Sequence, residues 1–233
     1  KTFNDKTKKE LLPENDGLFY LDLDTGKSSL FYSLKEISVK EPMIDYGYSE
    51  HYINHIMWNP GGNKFIFFHI WQSKQNRQSR LMLGGKNTDL RCINYPSGGN
   101  ISHYAWKNDD EILITISDHN KKISYLLINI LNKNCNVVDG KILNKDGHPS
   151  FSPINKNIIL NDTYPDQYRN QLLYLYDVST KTKKNIVNFY SPLKFSGEFR
   201  CDLHPRFSHD GLKVCVDSPH SGRRQLIIFP IDA

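Results

Sequence analysis

Four histidines, each followed three residues later by an aromatic side chain, are the residues of this chain whose type and spacing could do chemistry. They recur at intervals of roughly 50 residues, and a period of that length indicates a repeated structural unit. The four pairs are His55 with Trp58, His103 with Trp106, His148 with Phe151, and His204 with Phe207. Imidazole is the commonest transition-metal ligand, so four imidazoles at one repeated position predict a ring of ligands around a common axis.

The elements that must position these histidines follow from the same repeat. A polar or glycine-containing turn and then a short apolar strand come after each pair, as in Asn59 to Lys64 before the strand Phe65 to Phe68. Gly and Asn supply the backbone angles of tight hairpins, and a repeat of this length matches one four-stranded sheet. The sequence therefore predicts an all-β fold, a β-propeller of four-stranded blades.

The repeat also sets the predicted boundaries. We expect residues 1–233 to be a single β-propeller region, the C-terminal portion of a seven-bladed or similar propeller. In the alternative, the first half-blade completes the last one in a smaller ring. The partial blade covers 16–33, a connector with little apolar pattern covers 34–50, and the blades cover about 51–100, 101–146, 147–200 and 201–233.

Composition excludes several classes of function. The net charge of +5 comes from lysines scattered over turns, whereas nucleic-acid surfaces show a basic stripe with interleaved aromatics. The four cysteines form neither a CxxC pair nor a dense framework, so no structural zinc site or disulfide scaffold is expected. No apolar run could cross a bilayer. We expect a soluble protein that neither binds nucleic acid nor inserts into membranes, with cytoplasm and periplasm both left open.

Polar side chains collect after the second strand of each blade, where we expect the rim of the propeller. His69 with Gln72 is the first such group, and Asp162 and Asp217 hold matching positions in later blades. Asp in such places also caps turns, and both interpretations stay open. In the stretch from His220 to Gln225, Arg223 and Arg224 are candidate anchors for a carboxylate, because guanidinium groups bind carboxylates bidentately.

The densest reactive patch precedes the last blade. Strand alternation would put Arg200, Asp202 and His204 on one side of the chain. An internal salt bridge between Asp202 and an arginine is the structural alternative. Glu198 and Asp202 could also act as the paired carboxylates of a hydrolase if they stand at glycosidase distances.

Several motifs in the second half resemble the oligogalacturonate-lyase-related, TolB-like propellers of bacteria. They are Asp146-Gly-His-Pro-Ser-Phe-Ser-Pro, Asn161-Asp-Thr-Tyr-Pro-Asp, the stretch from Arg200 to Gly211, and Asp217-Ser-Pro-His-Ser-Gly-Arg-Arg-Gln. The resemblance implies a manganese ion near the axis, held by histidines and a glutamine, that neutralises a uronate carboxylate during β-elimination. His148 and His204 match the ligand positions, Asp202 stands where the family has a second His, and no residue matches the glutamine.

The leading hypothesis is a metal-assisted lyase that acts on uronic-acid-containing oligosaccharides and uses a divalent metal, Mn²⁺ in first place. The alternative is a non-catalytic TolB-like propeller that binds a glycan or a protein partner. The assigned metal ligands are His148, Asp202 and His204; the catalytic candidates are His103 and Arg200; the substrate-binding candidates are His55, Arg206, His220, Arg224 and Gln225.

Overall fold

The computed structural model describes residues 10–41, 50–72, 77–95 and 99–231. In these ranges nearly all of the regular structure is antiparallel sheet, and within each sheet every strand pairs with the next along the sequence. Successive sheets of this kind are the blades of a β-propeller, which confirms the predicted fold class. The chain forms two compact units, Lys1–Asn94 and Tyr95–Ala233, and each is described by itself.

The first unit holds a two-stranded and a four-stranded sheet. Its elements are β1 (Gly17–Leu21), β2 (Ser28–Ser33), α1 (Leu34–Val39), β3 (His51–Trp58), β4 (Lys64–Gln72), β5 (Arg77–Gly85) and β6 (Thr88–Cys92). Helix α1 falls in the segment that the sequence analysis treated as a connector. Ser33 Oγ accepts the backbone N–H of Glu36 at 3.1 Å, and the Glu36 carboxylate accepts that of Ser33 at 2.7 Å. This capping box stabilises the first turn.

A buried polar chain lies in the first unit and corrects the prediction that His69 stands at a rim. His69 is fully buried in β4, and its Nε2 lies 2.8 Å from Nδ1 of His51. Arg80 donates from Nε to His69 Nδ1 at 3.1 Å and from its other nitrogens to the carbonyl oxygens of Ile37, Lys40 and Glu41, each at 2.7 Å. Burial, with the Arg80 charge, lowers the pKa of His69 to about 3, so its imidazole is neutral.

The second unit contains three blades. The first has β7 (Asn100–Trp106), β8 (Glu111–Ser117), β9 (Ile123–Asn129) and β10 (Cys135–Asp139). The second has β11 (Ser150–Phe151), β12 (Ile158–Asp162), β13 (Asn170–Asp177) and β14 (Thr182–Tyr190). The third has β15 (Arg206–Phe207), β16 (Lys213–Ser218) and β17 (Gln225–Pro230).

The repeated aromatic residue has the same place in each of these blades. Trp106 is opposite Ile112, Phe151 opposite Ile159, and Phe207 opposite Val214, so the aromatic and the start of the second strand close each predicted hairpin. Both faces of the blade β11–β14 carry core clusters, one packed against the preceding blade and one against the following blade. His103 lies within β7, but His148 and His204 precede the two-residue strands β11 and β15.

All four cysteines are free thiols, and Cys201 is buried. No helix in the described ranges is long and apolar enough to cross a membrane.

Candidate functional site

Three of the four repeated histidines contact one another in the second unit. The ring centroids of His103 and His148 are 4.2 Å apart, and those of His148 and His204 are 4.4 Å apart, both in edge-on contact. His55 lies in the first unit, where its exposed side chain packs edge-on against Phe68 at 5.7 Å. The row of three imidazoles, one from each blade of the second unit, is the centre of the candidate site.

An aspartate stands at Nδ1 of each of these three imidazoles. The distances from Nδ1 to a carboxylate oxygen are 3.2 Å for His103 with Asp146, 3.0 Å for His148 with Asp162, and 3.6 Å for His204 with Asp217. At hydrogen-bond distance, as in His103 and His148, the carboxylate holds the ring proton on Nδ1 and leaves the lone pair of the ring on Nε2. The longer distance at His204 is that of an ion pair. Carboxylate-bound histidines of this kind are typical of metal sites.

Gly147, the residue before His148, allows the backbone to pass close to Asp162. A Cβ atom on Gly147 would stand 2.1 Å from the carbonyl oxygen of Asp162, so the chain can pass the end of β12 only without a side chain there. The backbone N–H of His148 then donates to Asp162 Oδ1 at 2.6 Å. Two contacts from one aspartate therefore hold both the backbone and the ring of His148.

Asp146 receives donors from the preceding blade. Ser102 Oγ donates to it at 2.7 Å, and His103 Nδ1 lies at 3.2 Å from the same oxygen. Burial alone would raise the pKa of Asp146, but hydrogen bonds from His103 and Ser102 outweigh burial and keep its pKa below the usual value. Asp146 is thus an ionised carboxylate that joins β7 to the loop before β11.

Asp202 completes a group of metal-ligand type with two of the histidines. One donor atom each from His148, Asp202 and His204 lies within 4.8 Å of the others. Arg200 Nε stands 2.8 Å from each of the two Asp202 carboxylate oxygens and donates to Oδ2. The buried Oδ1 faces the charge of Arg200 but accepts no well-aligned hydrogen bond from the described part of the chain, so a lone pair stays open to a cation or water.

The donor set and its surroundings fit a divalent cation. Two imidazole nitrogens and one carboxylate oxygen suit manganese, iron or zinc. Burial and the neighbouring His148 lower the pKa of His204, which favours the neutral imidazole that a metal requires. The convergence of the three donor atoms, the buried Asp202 oxygen without an aligned donor and the Nδ1 partners of the histidines are the observations on which this fit depends.

Tyr164 joins the site, although the sequence analysis gave it no role. Its ring centroid is 5.4 Å from that of His148, and the guanidinium carbon of Arg200 lies 4.7 Å above the same ring. This cation–π contact and the Asp202 ion pair hold Arg200 in place. The salt-bridge alternative for Asp202 is therefore observed, and it orients Arg200 beside the metal-ligand group.

The reasoning from strand alternation was wrong for this patch. Residues 201–205 form no strand, and His204 has a left-handed backbone with φ of +43°. A donor atom of Asp202 and one of His204 nevertheless lie within 4.8 Å of each other. Glu198 is exposed on a 3-10 turn, Gly197–Phe199, and Asp202 is ion-paired with Arg200. The paired carboxylates of a hydrolase stay a prediction.

The predicted substrate residues of the second unit fall into two groups. Arg224 donates to the carbonyl oxygens of Phe199 and Arg200 at 2.7 and 3.1 Å, and Arg206 donates to that of Pro205 at 2.8 Å. Both arginines therefore contact the loop that carries Asp202. His220 and Gln225 instead line an apolar groove of about 470 Å³ between β14 and β17. Their roles toward substrate stay predictions.

A scan against protein-family models and a search of curated proteins each found no match. Among solved structures, a nidogen/laminin complex has a TM-score of 0.58 at 8% identity, over 93% of this chain and 72% of that chain. An oligogalacturonate lyase in complex with manganese has a TM-score of 0.58 at 12% identity, over 94% and 72%. The β-propeller domain of the trilobed protease from Pyrococcus furiosus has 0.51 at 12%, over 80% and 57%. These likenesses show the β-propeller fold.

Proposed function

We propose that this protein is a metal-assisted carbohydrate lyase that cleaves uronic-acid-containing oligosaccharides by β-elimination. The observation that carries the proposal is the convergence of His148, Asp202 and His204 within 4.8 Å, with an aspartate behind each histidine. These three residues would hold a divalent cation, Mn²⁺ in first place. An oligogalacturonate lyase with manganese is among the structures that share the fold, which supports the choice of metal and substrate class.

The chemistry needs a positive environment for the uronate carboxylate. When bound, the metal would draw charge from that carboxylate and make the adjacent C5–H acidic. Arg200, held by Asp202 and Tyr164, presents a second fixed positive charge beside the metal-ligand group. Preorganised charges of this kind stabilise the negative charge that develops on the sugar as the proton leaves.

His103 is the candidate base. Imidazole titrates near neutral pH, whereas guanidinium remains protonated, so Arg200 serves better as a charge than as a proton acceptor. Asp146 holds Nδ1 of His103 and would stabilise the imidazolium that forms when the ring accepts the C5 proton. The C5–H electrons form the C4–C5 double bond, the C4–O bond breaks, and the departing oxygen takes a proton.

Arg206 and Arg224 extend the positive surface along the loop that carries Asp202. Arginine binds carboxylates bidentately, so these side chains are the candidates for neighbouring uronate units of the chain. A polymer with one carboxylate on each residue would meet the metal group and the arginines together. This requirement favours an acidic oligosaccharide over a neutral one.

The test is the formation of unsaturated product from oligogalacturonate, followed by absorbance, in protein loaded with Mn²⁺. The variant H148A/H204A removes two proposed ligands, and H119A/H209A removes two exposed histidines as a matched control. We expect activity in the unmodified protein and the control, and none in the ligand variant. Equal activity in both variants, or no product from any acidic oligosaccharide with metal bound, would overturn the lyase proposal.

A non-catalytic propeller that binds a glycan or a protein is the second candidate. The observation that favours it is the exposure of Leu193 and Phe199, each 71% exposed, near the loop that carries Asp202. Large exposed apolar side chains of this kind are common at interaction surfaces. This candidate predicts ligand binding that persists in H148A/H204A and in the presence of chelator, without product.

A further inference from the structure

A small polar cleft in the second unit lies apart from the residues assigned to metal and catalysis. It has a volume of about 170 Å³ and lies between the loop at 142–145, which follows β10, and the face of β13 and β14 in the next blade. Pockets for drug-sized ligands start at about 300 Å³, so this cleft suits one small group and not an oligosaccharide.

Two lysines bring positive charge to the cleft. Lys183 is fixed by a cation–π contact, with its Nζ 3.9 Å from the ring centroid of Tyr174, and Lys145 enters from the opposite wall. In the described part of the chain neither ammonium group has a salt-bridge partner. Desolvation, together with the charge of Lys145, lowers the pKa of Lys183. An anion between the two ammonium groups would relieve their repulsion.

Asp166, a carboxylate in the lining, offsets only one of these two positive charges. Asp166 is exposed, and its Oδ1 accepts the backbone N–H groups of Tyr168 and Asn170 at 2.9 and 2.8 Å. Those bonds hold the turn before β13 and occupy Oδ1 of the carboxylate. The cleft therefore keeps an excess of positive charge.

Side-chain amides supply the remaining polar groups. Asn144, Asn170 and Asn188 line the cleft, and each amide carries both donors and an acceptor. Phosphate or sulfate would offer acceptors and leave the amide oxygens unmatched. Sugar hydroxyls donate and accept at once, and the apolar edges of Ile142 and Leu172 suit the C–H faces of a sugar ring.

We propose that this cleft is a second carbohydrate site that binds a single uronate residue, with its carboxylate between Lys145 and Lys183 and its hydroxyl groups on the asparagine amides. It uses none of the metal-ligand histidines, so it stands whether or not the protein is a lyase. The expected ligand has both a carboxylate and a sugar ring. A free oxyanion lacks the ring, and a neutral sugar lacks the carboxylate.

The test is an NMR titration of chelator-treated H148A/H204A protein with galacturonate, read at the side-chain amide signals of Asn170 and Asn188. This background removes the proposed metal site, so the result is independent of lyase activity. We compare K145Q and K183Q with K184Q, which makes the same charge change at the adjacent position of β14 and therefore on its other face.

We expect saturable shifts with galacturonate, an apparent Kd raised about tenfold or more in K145Q and K183Q, and no more than about a twofold change in K184Q. Three results would overturn the proposal: no saturable shift, an equal loss of affinity in all three lysine variants, or equal affinity for galactose. Saturation by phosphate or sulfate without galacturonate would also overturn it, because it would identify a simple oxyanion site.

Discussion

Asp162 holds both the backbone and the imidazole ring of His148. Nδ1 of His148 lies 3.0 Å from both carboxylate oxygens of Asp162, and the backbone N–H of His148 donates to Oδ1 at 2.6 Å. Both side chains are buried. The aspartate therefore fixes the position, the ring orientation and the tautomer of a proposed metal ligand.

This couple predicts a loss of metal affinity in D162N. The amide keeps the size of the carboxylate but carries no charge, and outer partners of ligating histidines commonly contribute about 10- to 100-fold in affinity. We expect the Kd for Mn²⁺, measured by calorimetry, to rise within that range. The control is D210N, which changes an exposed aspartate in the turn after β15 and should leave the Kd unaltered.

A second prediction concerns the close approach at Gly147. A Cβ atom would stand 2.1 Å from the carbonyl oxygen of Asp162, so G147A must displace backbone. We expect the free energy of unfolding to fall by about 1–3 kcal/mol, measured by urea denaturation. Gly140 has open space around its Cα, so G140A is the matched control and should be close to neutral. Equal stability of the two variants would contradict this account.

A third prediction is a pH dependence of stability from His69. The pKa of His69 is lowered to about 3 by burial, whereas an unfolded histidine titrates near 6.5. Between these values the unfolded chain binds more protons than the native one, so stability is present above about pH 6.5 and is lost as the pH falls. The loss should approach ~1.4 kcal/mol per pH unit.

The measurement is urea denaturation at several pH values from 7 to 4. The variant H69Q keeps an acceptor for Arg80 and a donor for His51 but does not titrate. The slope of its free energy of unfolding against pH should therefore be smaller by the equivalent of about one bound proton, ~1.4 kcal/mol per pH unit. H209Q removes an exposed histidine as the control, and its slope should match that of the unmodified protein. An unchanged slope in H69Q would show that His69 is not the group responsible.

A fourth prediction concerns the support of Arg200 by Tyr164. The guanidinium carbon lies 4.7 Å above the tyrosine ring. Y164F keeps the ring and should retain turnover, whereas Y164L removes the cation–π contact and should lower kcat/KM about two- to fivefold, since such contacts contribute about 0.5–1 kcal/mol. The absorbance of the unsaturated product measures kcat/KM for both variants. An equal loss in the two variants would assign the effect to the hydroxyl group.

Much of the fold could be predicted because the sequence repeat marks the first two strands of each blade and the turn between them. The pairing of Phe151 with Ile159 and of Phe207 with Val214 follows directly from the aromatic residue and the strand that comes after the turn. Helix α1 was missed because an overall β pattern outweighed a local signal, although Ser33 and Glu36 have the spacing of a capping box.

The site was predictable only in part. The three contacting histidines share one repeat position, and the matching positions of Asp162 and Asp217 at the ends of second strands were a usable signal. Asp146 and Tyr164 were given no role, because their contacts with His103 and Arg200 join different blades or distant loops. His69 was misplaced because the strand was expected to end at Phe68, whereas β4 continues to Gln72 and buries His69 within it.

Elemental analysis of protein purified without chelator shows whether His148, Asp202 and His204 bind one metal ion. We expect about one equivalent of a divalent transition metal in the unmodified protein and in H119A/H209A, and its loss in H148A/H204A. The same trace metal content in all three proteins, after incubation with Mn²⁺ and removal of the excess, would contradict it.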